Sequence, residues 1–296
     1  MAREALSDKI FMIGNKAVLG GLLVILLYPL VYILSASISD PMLVNSGKVW
    51  LFPRNITLEG YSRVFQNGDI WTGYRNTIFY TIFGTFLNLL LTIPCAYALS
   101  RKDLTGRGLF MGIFVFTMFF NGGLIPTFLL IKSLGMLDTI WVLMIPGVVS
   151  VWNLIVTRTF FQSTIPREME EAAEMDGCNH FILFLRIVFP LSAPIVAVMA
   201  LFYGVSHWNQ YFSSMIYLTN RELFPLQLVL REILILNELT ALMLDGENMK
   251  AMAEQARIAD ITKYAVMIIS AIPMLIAYPF LQRFFVKGVM IGSIKG

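Results

Sequence analysis

Charge is the scarcest commodity in this 296-residue chain: Asp, Glu, Lys and Arg make up 14%, against the usual quarter, and the net charge is only +3. No dense basic tract occurs, which excludes a nucleic-acid footprint. Two cysteines, Cys95 and Cys178, stand far apart and give neither a disulfide framework nor a zinc spacing. The two histidines, His180 and His207, have no HExxH-type company, so neither a metal site nor a catalytic constellation is expected. No G-x-x-x-x-G-K-[ST] is found either; the pair Gly20-Gly21 leads into leucines. What fills the chain instead is apolar: 57% of residues are hydrophobic and mean hydropathy is +0.72. That composition predicts an all-α, polytopic membrane protein.

Apolar runs of near-bilayer length predict six spans, at about 17–39, 75–99, 108–131, 139–161, 184–207 and 262–282, in one transmembrane domain over 1–296. Ala17 to Leu34 is longer than a signal-peptide core and reads as an uncleaved first span rather than a leader cut near Ser35-Ala36-Ser37. Prolines fall in or beside these runs, as bundled membrane helices tolerate. An even count puts both termini on one side. With both inside, residues 1–16, 100–108, 158–186 and 283–296 hold twelve Lys/Arg against eight Asp/Glu, and the remainder ten against eleven. The positive-inside bias then expects both ends in the cytoplasm.

One stretch breaks the apolar pattern. Glu168 to Asp176 carries five acids in nine positions. Putting Arg167 to Asp176 in lipid would bury six charges at about 2.5–3.5 kcal/mol each, on the order of 15 kcal/mol. The stretch therefore lies outside the hydrocarbon, on the cytoplasmic side, within a loop at about 163–185. Thr164 as cap, Pro166 in the first turn and acids near the positive end predict a short helix, with Gly177 turning the chain. Met169, Ala172, Ala173 and Asp176 fall at i, i+3, i+4 and i+7 and predict a narrow, smooth face. Such a face with carboxylates suits docking to a basic partner; a solvated loop is the bland reading.

Glu171-Ala172-Ala173, Asp176-Gly177, Phe184, Ile187 and Pro190-Leu191 resemble the EAA loop of ABC importer permeases, whose pattern is EAA-x2-DGA-x5-F-x2-I-x2-PL. Its ten specified positions span twenty-one residues and agree except at Cys178, where cysteine replaces another small residue, alanine. "PRNITLEGYSRVF" (53–65), "WNQYF" (208–212) and "FVKGVMIGSIKG" at the end look like the maltose-type carbohydrate permeases. "LFPLQLVLREILI" resembles the LplC-like branch, associated with complex or acidic oligosaccharides such as alginate- or pectin-derived ones. The resemblance implies the ABC type I importer permease fold in a bacterial cytoplasmic membrane. It implies that Glu171, Ala172, Ala173, Asp176 and Gly177 couple to a separate cytoplasmic ATPase. The implied assembly is this chain, a second homologous permease, two ATPase copies and an external solute-binding protein. ATP and Mg would be bound by the ATPase, with no cofactor in this chain. The work implied is oligosaccharide import by alternating access; a non-sugar solute is the alternative.

A sugar path needs aromatic faces for rings, and amides or hydroxyls for sugar hydroxyls. Tyr203, Trp208, Asn209 and Tyr211 near the end of the fifth span, with Asn121 and Asn153, are available, although Trp and Tyr there also suit interfacial anchoring. The external segment at about 208–261 could pack across the mouth or meet a binding protein. The tail from Arg283, with Lys287 and Lys295, could lie at lipid headgroups; by resemblance it reaches the ATPases. A membrane enzyme would want acids or histidines clustered at one membrane face, and only the EAA stretch clusters acids. An ion-coupled transporter would want ionisable groups within spans, and these runs hold almost none.

Overall fold

The structure is a computed structural model that describes residues 6–243, 257, 262–276 and 279. The described residues are helical, without strands. They fall into two packed units, one from residues 1–68 and 230–272, the other from 69–229 and 273–296. The tail from Arg283 and the expected end of the sixth span lie outside the described residues.

In the first unit, α1 (Leu6–Ser37) is 32 residues long with Pro29 inside, and leucines, valines and isoleucines are exposed around it. At about 1.5 Å per residue it exceeds a 30 Å hydrocarbon layer. It begins well before the apolar run because Leu6 to Lys16 are helical too. Its end is tied by hydroxyls: Ser35 Oγ donates to the Leu51 carbonyl (2.6 Å), and Ser39 Oγ accepts from Arg54 N (3.1 Å). Asp40 caps α2 (Pro41–Asn45), accepting from Met42 N at 2.9 Å. A small core of Ala36, Val44 and Val49 follows, with Tyr32 edge-on to Tyr264 at 6.2 Å. On α3 (Glu59–Gln66), Glu59 meets Arg63 at 2.9 Å and Arg257 at 3.0 Å.

The spine of the second unit is α4 (Gly68–Ser100), with Pro94 inside. Asn76, Tyr80, Gly84, Asn88 and Thr92 recur every four residues, all buried. Four residues overshoot a 3.6-residue turn, so the row winds around α4 and meets one element after another. Asn76 Nδ2 donates to the Glu222 and Phe224 carbonyls (2.6 and 3.0 Å), and Tyr80 to that of Leu223 (2.9 Å). Beside them, Leu226 N donates to Thr77 Oγ1 (2.8 Å), and a Cβ on Gly73 would lie 3.0 Å from Leu226 Cα. These contacts fix the helix start at Leu226.

Two expected spans are sharply bent. Residues 108–131 form α5 (Arg107–Phe119) and α6 (Leu124–Ser133), at 113° to one another. Asn121-Gly122-Gly123 causes the break: Gly123 has φ +85, and Asn121 Oδ1 accepts from Gly123 N at 3.0 Å. In the region 139–161, a 3₁₀ turn (Ile140–Leu143) precedes α7, which runs only Val151–Thr164 after Pro146-Gly147. Thr164 thus ends α7 and does not cap the next helix, α8 (Arg167–Met175); Pro166, without an N–H, interrupts the ladder between them. Helices α9 (His180–Leu191) and α10 (Ala193–Trp208) meet at 78°, at Ser192 between Pro190 and Pro194. A π-turn, Phe184–Val188, lies just before that bend. Then come α11 (Phe212–Tyr217), α12 (Leu226–Met243) and α13 (Thr262–Ile276). By length and composition α1 and α4 can each cross a bilayer, and so can each bent pair taken as one crossing. The core gathers Ile93 and Tyr97 of α4, Leu154 and Phe161 of α7, Leu183 of α9, and Met199 and Tyr203 of α10.

Candidate functional site

The acidic helix α8 packs by one face and leaves the other bare. Ala173 is 8% exposed and joins the core with Met169 and Cys178 around it. Glu168, Glu171, Ala172 and Met175 point outward, at i, i+3, i+4 and i+7. The open face is therefore turned by one position, about 100°, from the one the periodicity predicts. The core around Phe161 and Leu183 sets this orientation by taking Ala173, with Met169 packed beside it. Met175 is 88% exposed, a bare apolar tip among carboxylates. Gly177 has φ +77, which lets Cys178 N reach the Ala173 carbonyl (2.9 Å) and closes the helix in a left-handed cap. Of the five predicted coupling residues, Glu171, Ala172, Asp176 and Gly177 are exposed and Ala173 is not.

A polar joint holds α8 to the end of α4. Tyr97 OH donates to Glu170 Oε1 (3.0 Å) and accepts from Arg101 Nη1 (3.2 Å). Arg101 also grips Asp103 with two bonds (2.8 and 2.7 Å), and this fork holds the Asp103 carboxyl below its ordinary range. Arg158 Nε donates to the Leu99 carbonyl (2.9 Å), placing a cation at the negative end of α4. A cleft of about 570 Å³ opens here, lined by Arg101, Lys102, Gln162, Pro166, Glu168 and Glu170. Sequence reading missed Glu170, Tyr97 and Arg101, which stand 73 residues apart in the case of the tyrosine and the glutamate. Tyr97→Phe removes the shared hydroxyl and is expected to loosen α8 by about 1–2 kcal/mol. Amide hydrogen exchange over residues 168–176 should speed up roughly tenfold, with exchange in the core of α4 unchanged.

A second feature is a cavity of about 830 Å³ between the segment 143–153 and the end of α10. Its size lies within the range of small-ligand sites. The predicted path residues Tyr203, Asn209, Tyr211 and Asn153 line it. Trp208 does not: it is 4% exposed, with its ring 6.3 Å from that of Tyr74 on α4. Asn121 is at the α5–α6 bend, away from the lining. Added to the predicted set are Asn88, Ser150, Trp152, His207 and Gln210. Asn88 Nδ2 donates to the Val148 carbonyl (2.6 Å), leaving its oxygen to accept from His207 Nε2 (2.7 Å). Tyr203 OH accepts from Ser150 N (3.1 Å) and pairs with Thr92 Oγ1 (2.8 Å). The four-residue row on α4, readable in the sequence as N-x3-Y-x3-G-x3-N-x3-T, thus contributes Asn88 to the wall and backs His207 and Tyr203 with Gly84 and Thr92. No Asp, Glu, Lys or Arg lines the cavity among the described residues. No group of three His, Cys, Asp or Glu side chains placed to hold a metal occurs among them either.

The chain matches the family described as "binding-protein-dependent transport system inner membrane component" over residues 70–291. It is 40% identical over 290 residues to protein LplC of Bacillus subtilis (strain 168), covering 98% of this chain and 96% of that one. It is 39% identical over 268 residues to the polygalacturonan/rhamnogalacturonan transport system permease protein YtcP of the same organism, covering 90% and 92%. Among solved structures it resembles a chain in the crystal structure of a bacterial ABC transporter involved in the import of the acidic polysaccharide alginate. There the TM-score is 0.84 and the identity 37%, over 96% of this chain and all of that one.

Proposed function

This chain belongs to the binding-protein-dependent transport system inner membrane component family, and from that premise we propose that it imports an oligosaccharide. It is a permease subunit of an ABC importer, a multi-pass membrane protein and not an enzyme. Importers of this kind work with an ATPase and a binding protein, and the family carries no cofactor of its own. In the reading proposed here, the chain pairs with a second homologous permease and two ATPase copies that bind ATP and Mg. Both termini face the cytoplasm of a bacterium, and α8 is the coupling helix. The observation that carries the cargo assignment is an uncharged cavity of amides, hydroxyls and rings in a chain closely similar to permeases of polysaccharide importers.

The outward face of α8 supports the coupling role. Met175 can enter an apolar cleft while Glu168, Glu171 and Asp176 meet basic groups around it. Ala173 serves the same end from within, since a small side chain lets α8 lie close on the core. Motion of α8 has two routes into the spans: through Glu170 and Tyr97 to α4, and through Gly177, the π-turn and the Ser192 bend to α10.

The test is the complete importer in lipid nanodiscs with its binding protein. Short uronate or neutral oligosaccharides are expected to raise ATP hydrolysis several-fold. Amino acids, polyamines and phosphonates should leave it at the basal rate. Stimulation by one of those solutes and by no glycan would overturn the cargo assignment.

A further inference from the structure

Asn153 stands in the first turn of α7, only 7% exposed, and lines the cavity. Its backbone is engaged, the N–H with Ser150 Oγ (3.5 Å) and the carbonyl with Thr157 Oγ1 (2.7 Å). Its side-chain amide makes no hydrogen bond among the described residues. The amide is not sealed in, since only the Thr81 and Thr85 hydroxyls are both buried and unpartnered among the described residues. It opens to the cavity and offers two donors and two acceptor lone pairs there.

The other amides of the wall are committed. Asn88 holds Val148 and His207, Gln210 donates to the Leu143 carbonyl (3.3 Å), and Asn209 donates to that of Val205 (2.9 Å). Asn153 is therefore a polar group held ready at the cavity wall by a rigid helix turn. The same cavity is lined by two partly exposed rings, Trp152 at 60% and Tyr211 at 43%, the latter edge-on to Phe212.

We propose that Asn153 is a sugar-binding residue, seating adjacent hydroxyls of one pyranose ring while Trp152 or Tyr211 covers a ring face. A primary amide sets a donor and an acceptor side by side, and two neighbouring sugar hydroxyls can answer both. Rings contribute by covering the apolar C–H face of the pyranose. With no cation on the wall, the subsite reads hydroxyls, and a uronate carboxylate must find its positive partner outside this cavity. The proposal rests on the cargo being an oligosaccharide.

Removing an unpaired amide takes no hydrogen bond from the protein, so Asn153→Ala should fold and assemble normally. The importer in nanodiscs, with its ATPase and binding protein, is titrated with trimeric oligogalacturonates and oligomannuronates and with neutral hexose trimers. Asn153→Ala is expected to lower glycan-stimulated hydrolysis and uptake about tenfold, a single ligand hydrogen bond's effect, with basal hydrolysis unchanged. Asn153→Asp should lower uronate uptake about tenfold further, because it puts an anion into an uncharged wall. Stimulation in Asn153→Ala within twofold of wild type would overturn the subsite. So would parallel loss of basal activity and assembly, which marks a structural residue. If no trimer stimulates the wild type, the cargo assignment falls first and the subsite with it.

Discussion

Gly177→Pro is expected to abolish import while leaving the complex able to hydrolyse ATP. Gly177 holds φ +77, whereas proline is confined near −65°, so the left-handed cap of α8 cannot form. No atom lies within 4 Å of the position a Cβ would take, so side-chain crowding does not confuse the result. A graded series follows. Gly177→Ala strains the cap by about 1–2 kcal/mol and should lower coupled uptake several-fold. Gly177→Pro also unseats the bond from Cys178 N to Ala173 and should lower uptake at least a hundredfold. Glu171→Lys leaves the cap intact but reverses a charge on the exposed face, and should have a comparable effect through docking. The readout is the ratio of labelled glycan taken up to ATP consumed. An unchanged ratio in both Gly177→Pro and Glu171→Lys would remove α8 from the coupling path.

The pattern of residues 171–191 made α8 readable, because a helix, a glycine turn and a second helix each leave a local signature. Its orientation was harder. Periodicity finds a stripe but not which neighbouring stripe is buried, and Ala172 and Ala173 differ by one step around the helix. Only the core around Phe161 and Leu183 decides that Ala173 goes inward. The spans show a similar division. Hydropathy sums apolar content over a window and is blind to direction, so residues 108–131 and 184–207 each read as one rod. The breakers were nonetheless visible as Asn121-Gly122-Gly123, and as Ser192 between two prolines.

The cavity was legible only in part. Tyr203, Asn209, Tyr211 and Asn153 could be chosen as polar or aromatic residues in apolar surroundings, but so could Trp208 and Asn121, which the fold sends elsewhere. Which residues share a cavity depends on pairing between distant helices, and no local rule supplies it. His207 shows the difficulty well. It has no motif around it, and its role follows from Asn88, 119 positions earlier.

Gly84→Ala is accordingly expected to be one of the most damaging single-carbon changes in the chain. A Cβ at residue 84 would stand 2.5 Å from His207 Nε2 and 2.6 Å from Cε1, far inside contact distance. The imidazole is rigid and can yield only by turning as a whole about χ1 and χ2, and this ring is held by Asn88 at 2.7 Å. Moving it out to ordinary contact would break that bond and leave the Asn88 oxygen without its donor. Overpacking and the lost hydrogen bond together should cost about 2–4 kcal/mol. The cavity wall would shift as well, since His207, Asn88 and the Val148 carbonyl form one chain of contacts. Thermal unfolding of the purified complex should therefore start several degrees lower in Gly84→Ala. His207→Ala alone carries its own loss, but with that ring gone the three atoms nearest the added methyl are gone too. In a double-mutant cycle the two changes should be far from additive, with a coupling of about 1–3 kcal/mol. Additive effects would mean that α4 and α10 yield at this contact, and that the cavity wall is softer than the four-residue row on α4 implies.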